Sequence, residues 1–139
     1  MYNYYNKIYI RDYNIFIDKN IEKLDVALLC NNDIDINIIK KYIYKNWHWY
    51  CLSCDYKFPL DFLKDYYMLD LSWYNLSKKE YYTYNDINNN IDLPWIWNQV
   101  SHNPNITWDI INNNDNLWDI NMVSTNKNIS IDIIESNIN

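Results

Sequence analysis

One short phrase returns along the chain at a nearly constant interval, and that recurrence limits the fold more than any other feature. Leu52-Ser53, Leu76-Ser77, Val100-Ser101 and Val123-Ser124 place their serines 24, 24 and 23 residues apart. Four positions before each serine stands a large apolar residue: Trp49, Trp73, Trp97 and Ile120. Two positions earlier stands another: Trp47, Leu71, Trp95 and Trp118. Leu28-Leu29 carries the series one period back in weaker form, because Asp25 replaces the tryptophan. The second half of the period repeats as well. Ile34, Phe58, Tyr82, Ile106 and Ile129 form one register, Ile36, Leu60, Tyr84, Trp108 and Ile131 the next, and Ile39, Leu63, Ile87, Ile111 and Ile134 a third. A period of this length marks a repeat protein, whose units bury their apolar faces only by stacking on one another. The registers divide the chain into five units, at 21–44, 45–68, 69–92, 93–115 and 116–139, with 1–20 as an N-terminal cap, in one repeat domain over 1–139.

The unit at 93–115 shows what one period folds into. Pro94 suits the first position of a helix, and Asp92 nearby suits the helix dipole. Trp97, Val100 and Ser101 follow at helical spacing, so the first helix is expected over 94–102. Asn103-Pro104-Asn105 is turn chemistry. Thr107 then caps a second helix, Asp109 lies in its first turn, and Ile106 with Ile111 has the spacing of a hydrophobic staple. The register of Thr107 holds Asp35, Pro59, Thr83 and Ser130 in the other units, all helix-start residues. With no glycine in the chain, Asn112-Asn113-Asn114 is expected to supply a left-handed helix exit. The expected fold is therefore all-α, a solenoid of short αα-hairpins. The competing fold is a β-containing, leucine-rich-like solenoid. Ile106-Thr107-Trp108-Asp109-Ile110 alternates like a half-buried strand. The alternation stops at Ile110-Ile111, however, and the leucine-rich pattern with its asparagine ladder is absent.

Composition removes several functions. Without glycine no dinucleotide or P-loop phosphate cradle exists. The chain has 12 basic against 18 acidic residues, a net charge of −6, and an isoelectric point near 4.7. Its lysines are scattered, so phosphate backbones and anionic membranes are disfavoured partners. Mean hydropathy is −0.50, and no apolar run reaches the roughly 20 residues that span a bilayer. Met1-Tyr2-Asn3-Tyr4-Tyr5-Asn6-Lys7 lacks the basic start and apolar stretch of a signal peptide. An intracellular protein is expected. The excess of Asn, Ile, Tyr and Lys over Ala, Arg, Pro and Gly follows AT-rich codons, a property of a genome before it is one of a fold.

Residues 93–111 read Leu93-Pro94-Trp95-Ile96-Trp97-Asn98-Gln99-Val100-Ser101-His102-Asn103-Pro104-Asn105-Ile106-Thr107-Trp108-Asp109-Ile110-Ile111. This text resembles the repeat proteins of large AT-rich DNA viruses of the mimivirus kind, whose units look like Pro-Trp-Asp-Trp-x-x-Leu-Ser-x-Asn-Pro-Asn-Ile-Thr-Trp-Asp-x-Ile. Ile96 stands where those repeats carry Asp, and the other units of this chain keep the Trp and Leu-Ser positions but lose Asn-Pro-Asn. The resemblance implies a viral origin and a place in the host cytoplasm or the virion. It implies no biochemical activity.

Few residues suggest chemistry. His48-x-x-Cys51-x-x-Cys54 has the look of a zinc or redox motif. Yet Cys54 shares its register with Cys30, Lys78, His102 and Thr125, and Cys51 shares its own with Asn75 and Gln99. Positions so tolerant read as variable surface or edge, and the three cysteines as reduced thiols. Cys54 and His102 lie two periods apart, about 16–20 Å at helix spacings of 8–10 Å, too far for proton transfer. Asp61, Asp109 and Asp132 share a first-turn position, which the helix dipole explains. Neither catalytic residues, nor a cofactor, nor a metal site is expected. The remaining candidates are Tyr66, Tyr67, Tyr74 and Tyr81, outside the core registers of Tyr82 and Tyr84. Exposed tyrosines favour protein interfaces. The expected role is a non-enzymatic module for a protein partner, with self-association in a virion or viral factory as the alternative. Asp25 at a tryptophan register predicts that 21–44 is the most weakly packed unit.

Overall fold

The second helix of each unit starts where a buried apolar residue gives way to a capping one, and the caps form as the register predicts. Asp35 accepts a hydrogen bond from the Asn37 amide, and Thr107 accepts one from the Ile110 amide. Thr83 and Asp86 complete a reciprocal capping box. The computed structural model describes residues 2–30, 33–113 and 118–137. Among them every regular element is helical. The cap is one long helix, α1 (Tyr2–Asn20), followed by two 3-10 helices, η1 (Ile21–Lys23) and η2 (Val26–Leu28). Then come α2 (Ile36–Lys41), α3 (Trp49–Asp55), α4 (Leu60–Tyr66), α5 (Trp73–Ser77), α6 (Tyr84–Asn88), α7 (Trp97–Ser101), α8 (Trp108–Asn112), α9 (Ile120–Ser124) and α10 (Ile131–Asn137). Each repeat is thus a helix pair, and the fold is the all-α repeat that the pattern implies, not the strand-bearing competitor. No helix among the described residues is long and apolar enough to cross a membrane.

The chain forms two compact units, residues 1–58 and 59–139, whose boundary falls inside the 45–68 repeat. In the second, α5 packs on α7 and α7 on α9, so the first helices stack as a solenoid. Three features join one repeat to the next. The Leu-Ser serine is the first: buried Ser77 accepts from the Ile96 amide at 2.9 Å, and Ser101 from the Asp119 amide at 3.1 Å. Each serine of one unit thereby satisfies an orphan amide at the helix start of the next.

The second feature is a buried asparagine. Asn103 donates its amide to the carbonyls of Ser77, Lys79 and Tyr82, while its oxygen accepts from the Asn105 backbone. Asn126 does the same one period on, with Ser101, Asn103, Ile106 and Asn128. The third feature is indole packing. Trp73 meets Trp95 edge-to-face with centroids 5.2 Å apart, and Trp97 meets Trp118 at 5.5 Å. Such pairs contribute roughly 0.5–1.5 kcal/mol beyond area burial. Beneath them lie Leu76, Ile87, Val100, Ile106 and Val123, all fully buried.

In the first compact unit the core is mostly aliphatic: Ile17, Ile21, Val26, Ile34, Ile38, Ile39 and Leu52, with Trp47, Tyr56 and Phe58 buried among them. Asn14 of α1 ties the cap to the first repeat, donating to the Asp33 carbonyl at 2.8 Å and accepting from the Asp35 amide at 2.7 Å. Lys41 and Asp18 pair at 2.8 Å, and Lys45 and Glu22 at 2.6 Å.

Two local expectations fail. The first helix of the 93–115 unit starts at Trp97, with Ile96 as its cap, rather than at Pro94. The Trp95 amide turns back to the Leu93 carbonyl at 2.7 Å, a three-residue turn that a helix start at Pro94 does not allow. Trp47 and Leu71 make the same turn to Lys45 and Leu69, so the late start belongs to the repeat. The left-handed exit is also absent, since no described residue has positive φ. Asn113 leaves the helix at φ −99°, and its side-chain amide donates to the Asp109 carbonyl at 2.8 Å. Asn90 does likewise with Asp86 at 2.6 Å. Asparagine thus satisfies the orphan carbonyls directly, without a left-handed residue. Asn114 lies outside the described residues.

Candidate functional site

The register directly after the Leu-Ser serine leaves the core. Ser77 and Ser101 are buried, whereas Lys78 is half-buried and His102 and Thr125 are exposed. Stacking sets these register mates side by side: His102 Nδ1 lies 3.0 Å from Thr125 Oγ1. Together with Lys79, Glu80, Tyr81, Pro104 and Lys127 they line one groove of the second compact unit. Lys127 faces Glu80 at 3.6 Å across it. Three lysines and a histidine around one carboxylate make a locally cationic surface on an acidic chain. Asn105 supports the groove wall by donating to the Glu80 and Tyr82 carbonyls. Tyr81 is the one groove residue that the sequence pattern marks; the lysines carry no such mark. Lys127 lies 48 residues after the adjacent pair Lys78-Lys79, and only stacking over two periods brings it to them.

The four tyrosines do not form one patch. Tyr81 lines the cationic groove, half-buried and packed at 4.6 Å on Tyr82, whose hydroxyl burial holds well above the usual tyrosine range. Tyr74 is 51% exposed and carries the Lys78 ammonium over its ring at 4.7 Å, a cation–π contact. Tyr67 is 46% exposed and lines a different depression with Lys64, Asn89, Asn90, Asp92 and Leu93. Tyr66 is half-buried against Phe62 at 4.8 Å. Asp61, Asp109 and Asp132 all sit in first turns, where the dipole reading puts them.

The cysteines occupy edge positions rather than fully exposed ones. Cys30, Cys51 and Cys54 are all half-buried thiols. Ligand atoms of Cys30, His48 and Cys51 all lie within 4.8 Å of one another, a convergence that the motif 48–54 alone does not contain. Burial first, then the hydrogen bond and charge of Cys51 and the charges of Cys54 and Asp55, push the Cys30 thiol up to about 12. The sequence carries a partial signal, since Cys30 lies one period before Cys54, which stands one helical turn beyond Cys51. It reads as tolerance of substitution until the fold sets Cys30 against His48 and Cys51.

Compared with known protein families, with curated proteins and with solved structures, the chain matches none.

Proposed function

We propose that this chain is a non-enzymatic repeat module that binds a protein partner through the groove of Lys78, Lys79, Tyr81, His102, Thr125 and Lys127. One observation carries the reading: Lys78, His102 and Thr125 occupy one register, lie side by side, and differ in chemistry, while the serine and asparagine joints behind them repeat. A solenoid so built changes its outer surface without disturbing its stack. The groove chemistry favours an acidic segment, with Tyr81 offering apolar contact. Complementary charge of this kind sets partner choice and encounter rate. The likeness of residues 93–111 to giant-virus repeats supports a viral adaptor acting in the host cytoplasm or virion.

The test is affinity capture from cells that make the protein, comparing the native chain with a Lys78→Glu, His102→Ala, Lys127→Glu variant. A small reproducible set of partners lost from the variant, with its circular dichroism intact, is expected. Equal recovery by both chains sinks the proposal. Self-association is the second reading, favoured by Tyr9, Ile10, Ile15 and Phe16, which α1 leaves exposed. A strict monomer in concentrated solution excludes it.

A further inference from the structure

All three cysteines of the chain and one of its two histidines come from a 25-residue stretch, positions 30 to 54, in the first compact unit. His48 is the residue that caps α3, Cys51 lies in its first turn, and Cys54 lies one turn further on, on the same face as Cys51. Cys30 follows η2 and comes from the preceding repeat. From its juxtaposition with His48 and Cys51, we infer that Cys30, His48, Cys51 and Cys54 form a binding site for one thiophilic divalent cation, of which Zn2+ is the fitting example.

The donor set and its spacing both point there. Three sulfurs and one imidazole are a closed structural zinc set. Bonds of about 2.3 Å to sulfur and 2.0 Å to nitrogen place tetrahedral ligand atoms roughly 3.5–3.8 Å apart. The 4.8 Å limit on the Cys30, His48 and Cys51 donors therefore needs a contraction on the order of 1 Å. Cys54 supplies the fourth donor. Its thiol now donates to the Tyr50 carbonyl at 3.4 Å, a weak bond that a rotation about the side chain exchanges for the metal. The repeat pattern supports this role by analogy: Cys30 and Cys54 share the register whose later members, His102 and Thr125, touch at 3.0 Å.

Binding balances as Zn2+ plus three thiols and a neutral imidazole giving a singly negative tetrahedral complex and three protons. The cation supplies the positive charge that lets three thiolates and the Asp55 carboxylate share one region.

The site also answers a packing deficit. The repeat at 21–44 has Lys23 and Asp25 at the two tryptophan registers, and both are exposed. Its first helix is a single 3-10 turn. A cation held between Cys30 and α3 would staple this thin unit to its neighbour, a device common where a core is too small.

The experiment uses the reduced full-length chain and Zn2+ alone, read by chelator competition and native mass spectrometry, with Co2+ as the optical probe. One equivalent of Zn2+ and a tetrahedral Co2+–thiolate spectrum are expected. Metal should also protect all three cysteines from alkylation in the native chain, which identifies the ligands without any variant. Cys30→Ser should weaken binding more than roughly a hundredfold, since loss of an outer-shell partner alone costs 10–100-fold. Circular dichroism of that variant separates a lost ligand from a lost fold. No uptake by the native chain overturns the inference, as does a Cys30 that remains alkylated in the metal-bound protein. A Cys30–Cys51 disulfide that forms readily in a chain without metal affinity overturns it too, and makes the pair a redox couple.

Discussion

In the repeat at 93–115, Trp95 and Trp97 pack edge-to-face on indoles of the neighbouring units, Trp73 and Trp118, and Asn103 donates to three carbonyls of the unit before. In the repeat at 21–44 the same registers hold Lys23, Asp25 and Asn31, the last of them outside the described residues. Here α1, the ion pairs Lys41–Asp18 and Lys45–Glu22 and the buried Tyr56 take over. The Tyr56 hydroxyl donates to the Ile34 carbonyl at 2.8 Å, and burial, with the charge of Asp35, pushes it up to about 12. One register plan therefore serves two kinds of joint. The aromatic and asparagine joint depends on satisfying buried polar groups, whose loss is costly. The ion-pair joint lies in solvent, where each contact contributes little.

Breaking the asparagine joint should have the largest effect. Asn103→Ala leaves buried carbonyls of the preceding unit without their donor and should cost about 2–4 kcal/mol. Asp55→Ala, at the same register but exposed, should stay within about 0.5 kcal/mol. Urea unfolding of the two variants against the native chain measures both, and equal losses would dissolve the distinction.

The next effect needs no substitution. Amides of η2 should exchange faster than those of α7 in metal-free buffer, because this three-residue 3-10 turn buries only Val26 whereas α7 buries Gln99, Val100 and Ser101. Slower exchange at 21–44 than at 93–115 would refute the ranking.

The smallest effect concerns pH. The hydrogen bond from Lys41 holds the Asp18 carboxyl below its ordinary 3.8, against the opposing pull of desolvation. A lowered folded value means that its stabilisation is present above the ordinary value and is lost as pH falls through the lowered one. Lys41, raised above its ordinary 10.5 mainly by the same bond, loses its share as pH rises through that raised value. Asp18→Asn should therefore flatten the acid limb of stability slightly, seen as melting temperatures that converge with the native chain at low pH. A gap that widens on acidification would contradict the pairing.

How much of this is legible in residues alone depends on how far each interaction reaches along the chain. Thr83, Thr107 and Asp35 act within three residues of themselves, so their capping roles follow from local chemistry. The turn before Trp97 is equally local but ambiguous in sequence, since Pro94 suits both a helix start and a three-residue turn. Asn103 has the chemistry of a turn residue, and its oxygen accepts from the Asn105 amide as such a turn requires. That its other end reaches 21 to 26 residues back has no local signature. The cationic groove and the Cys30–His48–Cys51 cluster fail to show for the same reason.

The sequence by itself determined the period, the helix-pair unit, the caps and the core registers of Ile34 and Ile39, because periodic burial and short-range capping are written in neighbouring residues. The register of Ile36, Leu60, Tyr84, Trp108 and Ile131, read as core, is half-buried to exposed. Only the tertiary structure decided which side chains of different periods touch. The rise and turn from one helix pair to the next come from packing, and they bring Lys78 to His102, and Cys30 to Cys51.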